Sequence, residues 1–179
     1  RIVSKHMEKN IFMIGMPSSG KSTLGKQIAK ALSYEFIDLD QKIESIEGKK
    51  IADIFSVNGE EYFRKVEAEQ LRKIPINSKT IIATGGGTPC FHDGIKFIKE
   101  TGWSIFLDVP PSILAKRMAQ SKRGTRPLLD VSDEDLFTRL ELTYNSRIDT
   151  YRQADITVEG STDAEAIIWI LEAELVKRK

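Results

Sequence analysis

Soft metal ligands and thiols are nearly absent from this sequence, which has one cysteine, Cys90, and two histidines. A lone cysteine excludes an internal disulfide and suits a reducing cytoplasm. So few soft ligands leave no spacing for a zinc-type centre. A metal is therefore expected to arrive with a ligand, as a hard ion bound by oxygen. Charge of one sign is also missing, since 27 Lys and Arg stand against 26 Asp and Glu. That balance provides no broad field for nucleic acid or an anionic membrane, and neither is expected as a partner. The basic groups near the ends, Arg1 to Lys9 and Val176 to Lys179, are short and read as solvated tails. No apolar run approaches bilayer-spanning length, and the N-terminus lacks a signal-peptide pattern. Arg1 to Met7 reads as a remnant ahead of a native start at Met7, so residues 1–9 are expected to be a tail.

The remaining stretch, 10–179, is long enough to bury one substantial core. Short runs rich in β-branched and aromatic residues predict strands at Ile11–Ile14, Glu35–Leu39, Thr80–Ala83, Ser104–Val109 and Ile156–Val158. Helical patterns fill the intervals, including Asp133 to about Gln153 and Thr162 to about Lys177, the latter with a Thr/Asp cap. This alternation predicts an α/β fold of three layers, α/β/α, with a mostly parallel sheet of five strands and right-handed crossovers. Two stretches break the rhythm. Residues from about 40 to 74 have no convincing strand and read as an inserted helical subdomain. Residues from about 119 to 132 include the basic loop Ser121-Lys122-Arg123-Gly124-Thr125-Arg126-Pro127, which reads as a mobile lid for phosphates, with a solvated surface loop as the alternative.

The most informative motif is Gly15-Met16-Pro17-Ser18-Ser19-Gly20-Lys21-Ser22, set between a predicted strand and a helix that opens at Thr23. Strand, G-x-x-x-x-G-K-S, then helix is the arrangement of a phosphate-binding P-loop. Gly15 and Gly20 permit close backbone approach. The N–H groups around Ser18, Ser19, Gly20 and Thr23 then face an anion at the positive end of a helix. Lys21 supplies a point charge for the β- and γ-phosphates, and Ser22 a hydroxyl for Mg²⁺. The expected ligand is a nucleoside triphosphate.

Four further features bear on the acceptor. Asp38-Leu39-Asp40 ends the second strand, where alternate side chains share a face. One carboxylate can support Mg²⁺ and the other can meet an acceptor hydroxyl; the alternative is a helix cap at Asp40 with Asp38 exposed. Asn58 is a candidate helix cap ahead of Glu60, Glu61 and Arg64, and an exposed, salt-bridging Arg64 is the ordinary alternative. Gly85-Gly86-Gly87 follows a buried strand, and three glycines there make sense where backbone must come close to a ligand. Arg147 lies near the end of the long helix and either faces the same crevice or lies on its surface.

In order along the chain, F-I-D-L-D, G-E-x-x-F-R, T-G-G-G, R-P-L-L and R-x-x-x-Y-x-x-A-D resemble the shikimate kinase family from Asn10 to about Ala173. The resemblance implies transfer of the γ-phosphoryl group of ATP to the 3-hydroxyl of shikimate, with Mg²⁺ as cofactor. It implies P-loop roles for Lys21 and Ser22, metal support from Asp38, and a base at Asp40. It further implies a carboxylate clamp of Arg64 and Arg147, with Gly85, Gly86 and Gly87 against the substrate. Arg126 matches the lid arginine, and Arg117 is the nearest candidate for an adenine contact. Relatives of this size lead us to expect a monomer, and the lone cysteine a cytoplasmic protein. A gluconate or nucleoside monophosphate kinase of the same fold, and a non-catalytic nucleotide-binding module, remain as alternatives. Thr88-Pro89-Cys90 departs from the family pattern.

Overall fold

The structure is a computed structural model and describes residues 7–123 and 133–178. Strands β1 (Asn10–Ile14), β2 (Glu35–Asp38), β3 (Thr80–Ala83), β4 (Gly102–Asp108) and β5 (Ile156–Glu159) form one sheet in the order β2-β3-β1-β4-β5. Every neighbouring pair is parallel. The helices are α1 (Lys21–Leu32), α2 (Leu39–Glu47), α3 (Ile51–Asn58), α4 (Glu60–Lys73), α5 (Gly94–Thr101), α6 (Pro111–Arg123), α7 (Asp133–Tyr151) and α8 (Ala164–Lys177), with a 3₁₀ turn at Thr88–Cys90. No helix among the described residues is long and apolar enough to cross a membrane.

From Ile11 to Ile14 β1 is an unbroken apolar run because it is central and covered on both faces. Its pleat divides it between two cores. Ile11 and Met13 join Ile28, Ile105, Ile167 and Leu171 beneath α1 and α8. Phe12 and Ile14 join Ile82, Ile98, Phe106, Leu114 and Tyr151 beneath α4 to α7. Each such buried side chain contributes about 1.5–3 kcal/mol. The expected three-layer parallel architecture is the observed one.

Several boundaries differ from expectation, each for a local reason. β2 ends at Asp38 rather than Leu39, because the Asp38 carboxylate accepts from Gln41 N at 3.2 Å and caps α2. Leu39 then turns into the second core. Asn58 is not the cap of α4. It closes α3, and Gly59, at φ 85°, breaks the chain between the two helices. At the start of α8 the expected cap is Asp163, which accepts from Ala166 N at 2.8 Å. Of the tail expected over 1–9, only residues 7–9 are among the described residues. Met7 is buried, and Tyr34 Oη donates to its carbonyl at 3.0 Å. Of the expected lid, residues 119–123 belong to α6. Its Arg126 lies outside the described residues.

Strand order sets the position of the site. The link from β1 to β2 passes through α1 on one face of the sheet, and the link from β3 to β4 passes through α5 on the other. A crevice therefore opens beyond the carboxyl ends of β1 and β3, the place where α/β sheets bind ligands. Thr84 braces its floor, its N and Oγ1 both donating to Met13 O at 3.1 and 2.9 Å.

Candidate active site

The loop after β1 is tightly bent. Gly15 has φ 145°, and a Cβ there would lie 2.8 Å from Leu107 O, so no larger residue fits. Ser18 takes a left-handed φ of 65°, uncommon for a residue with a side chain. Ser19 is buried, and its hydroxyl has no hydrogen-bond partner among the described residues. Gly20 starts α1 without a side-chain cap, and the first turn of α1 carries no acidic residue. By contrast, α2 and α8 are capped by Asp38 and Asp163. The positive end of α1 is thus left for an anion.

Lys21 is buried and curls over the loop, Nζ donating to Gly15 O and Met16 O at 2.8 Å each. Burial lowers its pKa to about 8; Arg147 adds to this, while Asp40 and Asp38 oppose it. Ser22 Oγ donates to Asp38 Oδ2 at 2.7 Å. That contact brings together, from α1 and β2, the two hard oxygen donors expected at a divalent ion. Lys21, Ser22, Asp38, Asp40, Thr84 and Gly86 line one cavity. A second cavity lies beyond the loop, lined by Thr23, Leu24, Arg117 and Gly160–Thr162. Ser18 and Gly20 border both. Arg117 Nη1 donates to Ser18 O at 3.1 Å, which brings α6 to the P-loop.

The three glycines after β3 are not needed for positive φ, which none of them has. They are needed for space. A Cβ on Gly85 would lie 2.8 Å from Asp40 Oδ1 and 2.9 Å from Glu67 Oε2. One on Gly86 would lie 2.7 Å from Arg147 Nη1 and 3.0 Å from Pro17 Cδ. One on Gly87 would overlap the Arg64 guanidinium. Consecutive glycines thus back onto Asp40, Arg147 and Arg64 in turn. Side chains from α2, α7 and α4 converge on one short ribbon of backbone.

The arrangement also involves Glu67, which the sequence does not mark as a site residue, and Tyr151, which enters there only as the tyrosine of R-x-x-x-Y-x-x-A-D. Glu67 is almost fully buried and accepts from Arg64 Nη1 and Thr88 Oγ1, each at 2.9 Å. Arg64 is itself buried, not an exposed salt-bridging residue. Burial pushes the Asp40 carboxyl up to about 6, with Glu67 and Asp38 adding to the push and Lys21 opposing it. Tyr151, one turn beyond Arg147, is fully buried and donates to Gly86 O. Burial holds that phenol neutral, its pKa raised to about 12. A signal for Glu67 was present in α4. Its buried stripe of Phe63, Val66, Glu67, Gln70 and Leu71 follows helical spacing, with charged and polar residues where apolar ones belong. Gly160–Thr162 carries no comparable mark, being an ordinary loop in sequence.

Comparison with known proteins bears on this constellation. A family model described as shikimate kinase matches residues 17–175. A shikimate kinase of Clostridium botulinum (strain 657 / Type Ba4) is 42% identical over 165 residues, covering 92% of this chain and 95% of that protein. Among solved structures, the shikimate kinase of Bacteroides thetaiotaomicron superposes with a TM-score of 0.82 at 33% identity, over 93% of this chain and 98% of that one. The Acinetobacter baumannii shikimate kinase, solved in complex with shikimate, gives a TM-score of 0.83 at 32% identity, over 97% and 98%.

Proposed function

This chain belongs to the shikimate kinase family, and on that premise we propose how its residues divide the transfer of the γ-phosphoryl group of ATP to the 3-hydroxyl of shikimate. The reaction gives shikimate 3-phosphate and ADP. The acceptor hydroxyl oxygen bonds to the γ-phosphorus, the bond to the β-phosphate bridging oxygen breaks, and the hydroxyl proton leaves. Such transfers pass through a loose transition state, so the protein chiefly positions reactants and neutralises charge.

The donor half is the P-loop. The uncapped N-terminus of α1 receives the phosphates, and Lys21 leaves its two carbonyl partners for the β- and γ-oxygens. Ser22 and Asp38 suit Mg²⁺, since a hydroxyl and a carboxylate already 2.7 Å apart form a hard donor pair. Bound there with the nucleotide, the ion would neutralise charge on the β- and γ-phosphates. The second cavity, with Arg117 and Gly160–Thr162, suits the nucleoside. Arg126, ahead of Pro127-Leu128-Leu129, is assigned to transition-state charge on its motif alone.

The acceptor half is the glycine ribbon. Arg64 and Arg147 present two cations for the carboxylate of shikimate, a task suited to the planar fork of arginine. Asp40 faces Gly85 on the P-loop side of the site. Its raised pKa suits a base that takes a hydroxyl proton near neutral pH. The observation that carries this reading is the succession Asp40, Arg147, Arg64 over Gly85, Gly86, Gly87 beside a P-loop. It is tested by ADP release with ATP and Mg²⁺ in the presence of shikimate, gluconate or AMP. Release dependent on shikimate is expected; release driven by another acceptor would overturn the assignment of Asp40, Arg64 and Arg147.

A further inference from the structure

The turn that follows the glycine ribbon is built unusually. His92 and Asp93 take left-handed φ of 48° and 55° in succession, a conformation non-glycine residues seldom adopt. Such backbone persists where its surroundings over-determine it. Here Arg72, two turns beyond Arg64 on α4, donates to His92 O at 2.6 Å and lies over the Phe97 ring at 5.2 Å. Gly94 N closes the turn by donating to Phe91 O at 3.0 Å.

The effect is to present Phe91. The residue remains 36% exposed, and its ring stacks on Arg64, with Cζ 4.1 Å from the ring centroid. Phe63 and Phe55 lie farther off, at 5.2 and 5.9 Å. Glu67 and Glu60 hold Arg64 by Nη1 at 2.9 Å and Nε at 3.5 Å. Those carboxylates restrain the guanidinium within its plane, and Phe91 restrains the tilt of that plane. We propose that Phe91 is a positioning residue for acceptor binding: by stacking on Arg64 it holds the guanidinium at the angle that grips the acceptor carboxylate. This rests on the reading of Arg64 as one arm of the clamp. It adds a determinant on the segment Thr88 to Asp93, which no catalytic group occupies.

Phe91→Leu removes the π face and keeps apolar bulk. The shikimate KM is expected to rise about three- to tenfold, the range of a partly exposed cation–π contact. The ATP KM and kcat should stay within about twofold, since the ring of Phe91 stacks on Arg64, an acceptor-side group. Phe91→Tyr should restore the wild-type KM. Phe91→Met, a second ring-free variant, should behave as Phe91→Leu and guards against a packing effect of the branched side chain. In an Arg64→Ala background the Phe91→Leu effect should vanish. An unchanged shikimate KM in both ring-free variants would overturn the proposal, as would the same fold-change with and without Arg64. If Arg64→Ala itself left the shikimate KM unchanged, the carboxylate clamp would fall, and this proposal with it.

Discussion

The Gly87→Ala variant tests the geometry with a single methyl group. Gly87 has φ −90° and ψ −9°, which alanine adopts freely, so any effect is steric. The added Cβ would lie 2.6 Å from both Cζ and Nη2 of Arg64. Ordinary contact needs about 3.5 Å, so the guanidinium must retreat by roughly 1 Å. It has little freedom to do so. Glu67 holds Nη1 at 2.9 Å, and the Phe91 ring lies 4.1 Å from Cζ. Overpacking of this kind costs about 1–3 kcal/mol, which for a domain of this size lowers Tm by about 2–12 °C. The functional loss is the larger signal. A displaced arginine forfeits a charge-assisted hydrogen bond worth about 1.5–3 kcal/mol, or roughly 10- to 150-fold in the shikimate KM. The ATP KM should hold, because no P-loop atom is among the near contacts of a Gly87 Cβ. Coupled ADP-release kinetics below the lowered Tm measure both constants. An unchanged shikimate KM, or a rise confined to ATP, would refute the reasoning.

The pH dependence follows from two displaced groups. Asp40 must be ionised to act as a base, and its pKa is raised to about 6, so kcat/KM should climb through that pH. Lys21 must be charged to receive phosphates, and its pKa is lowered to about 8 in the free protein, so kcat/KM for ATP should fall above it. Glu67→Gln removes one of the negative charges that raise Asp40 and should move the acidic limb to lower pH. An unmoved limb would mean that Glu67 does not act on Asp40. Asp40→Asn should abolish turnover yet raise Tm by a few degrees at pH 7–8, reflecting about 1–2 kcal/mol of relieved burial. The sign is set by the raised pKa: folding favours the protonated carboxyl, so stability is greatest below the ordinary carboxylate range and lost as pH rises through about 6. A fall in Tm for Asp40→Asn would contradict that cause. Arg117→Ala should raise the ATP KM about three- to tenfold with the shikimate KM unmoved, if its contact with the P-loop at Ser18 serves the nucleotide.

The parts legible in sequence were those that local physics dictates. An apolar run followed by glycines, lysine and serine fixes β1, the P-loop and α1 within a few residues, because turn, charge and helix start are adjacent in the chain. The parallel sheet followed from strand spacing. What sequence misjudged lay at junctions. Asp38 looked like a strand residue paired with Asp40 by alternation, whereas it closes the strand as a helix cap and meets Ser22 from there. Asn58 looked like a cap, but Gly59 supplied the break. The glycine run predicts clearance for a ligand, whereas its nearest neighbours are the site's own side chains. Glu67 and Phe91 carry no local mark of a site residue, and Tyr151 stands only as a motif position, because their significance is long-range. Nothing within a helical turn of Tyr151 indicates that its hydroxyl meets Gly86, 65 residues away.

The central claim is that a carboxylate on the acceptor is gripped by Arg64 and Arg147 across the glycine ribbon from the P-loop. Calorimetric binding of shikimate and of its methyl ester, to the wild type and to the Arg64→Ala/Arg147→Ala double variant, addresses it directly. The uncharged ester should bind the wild type at least about 30-fold more weakly than the acid, and the double variant should no longer distinguish them. Equal affinity of acid and ester for the wild type would contradict it.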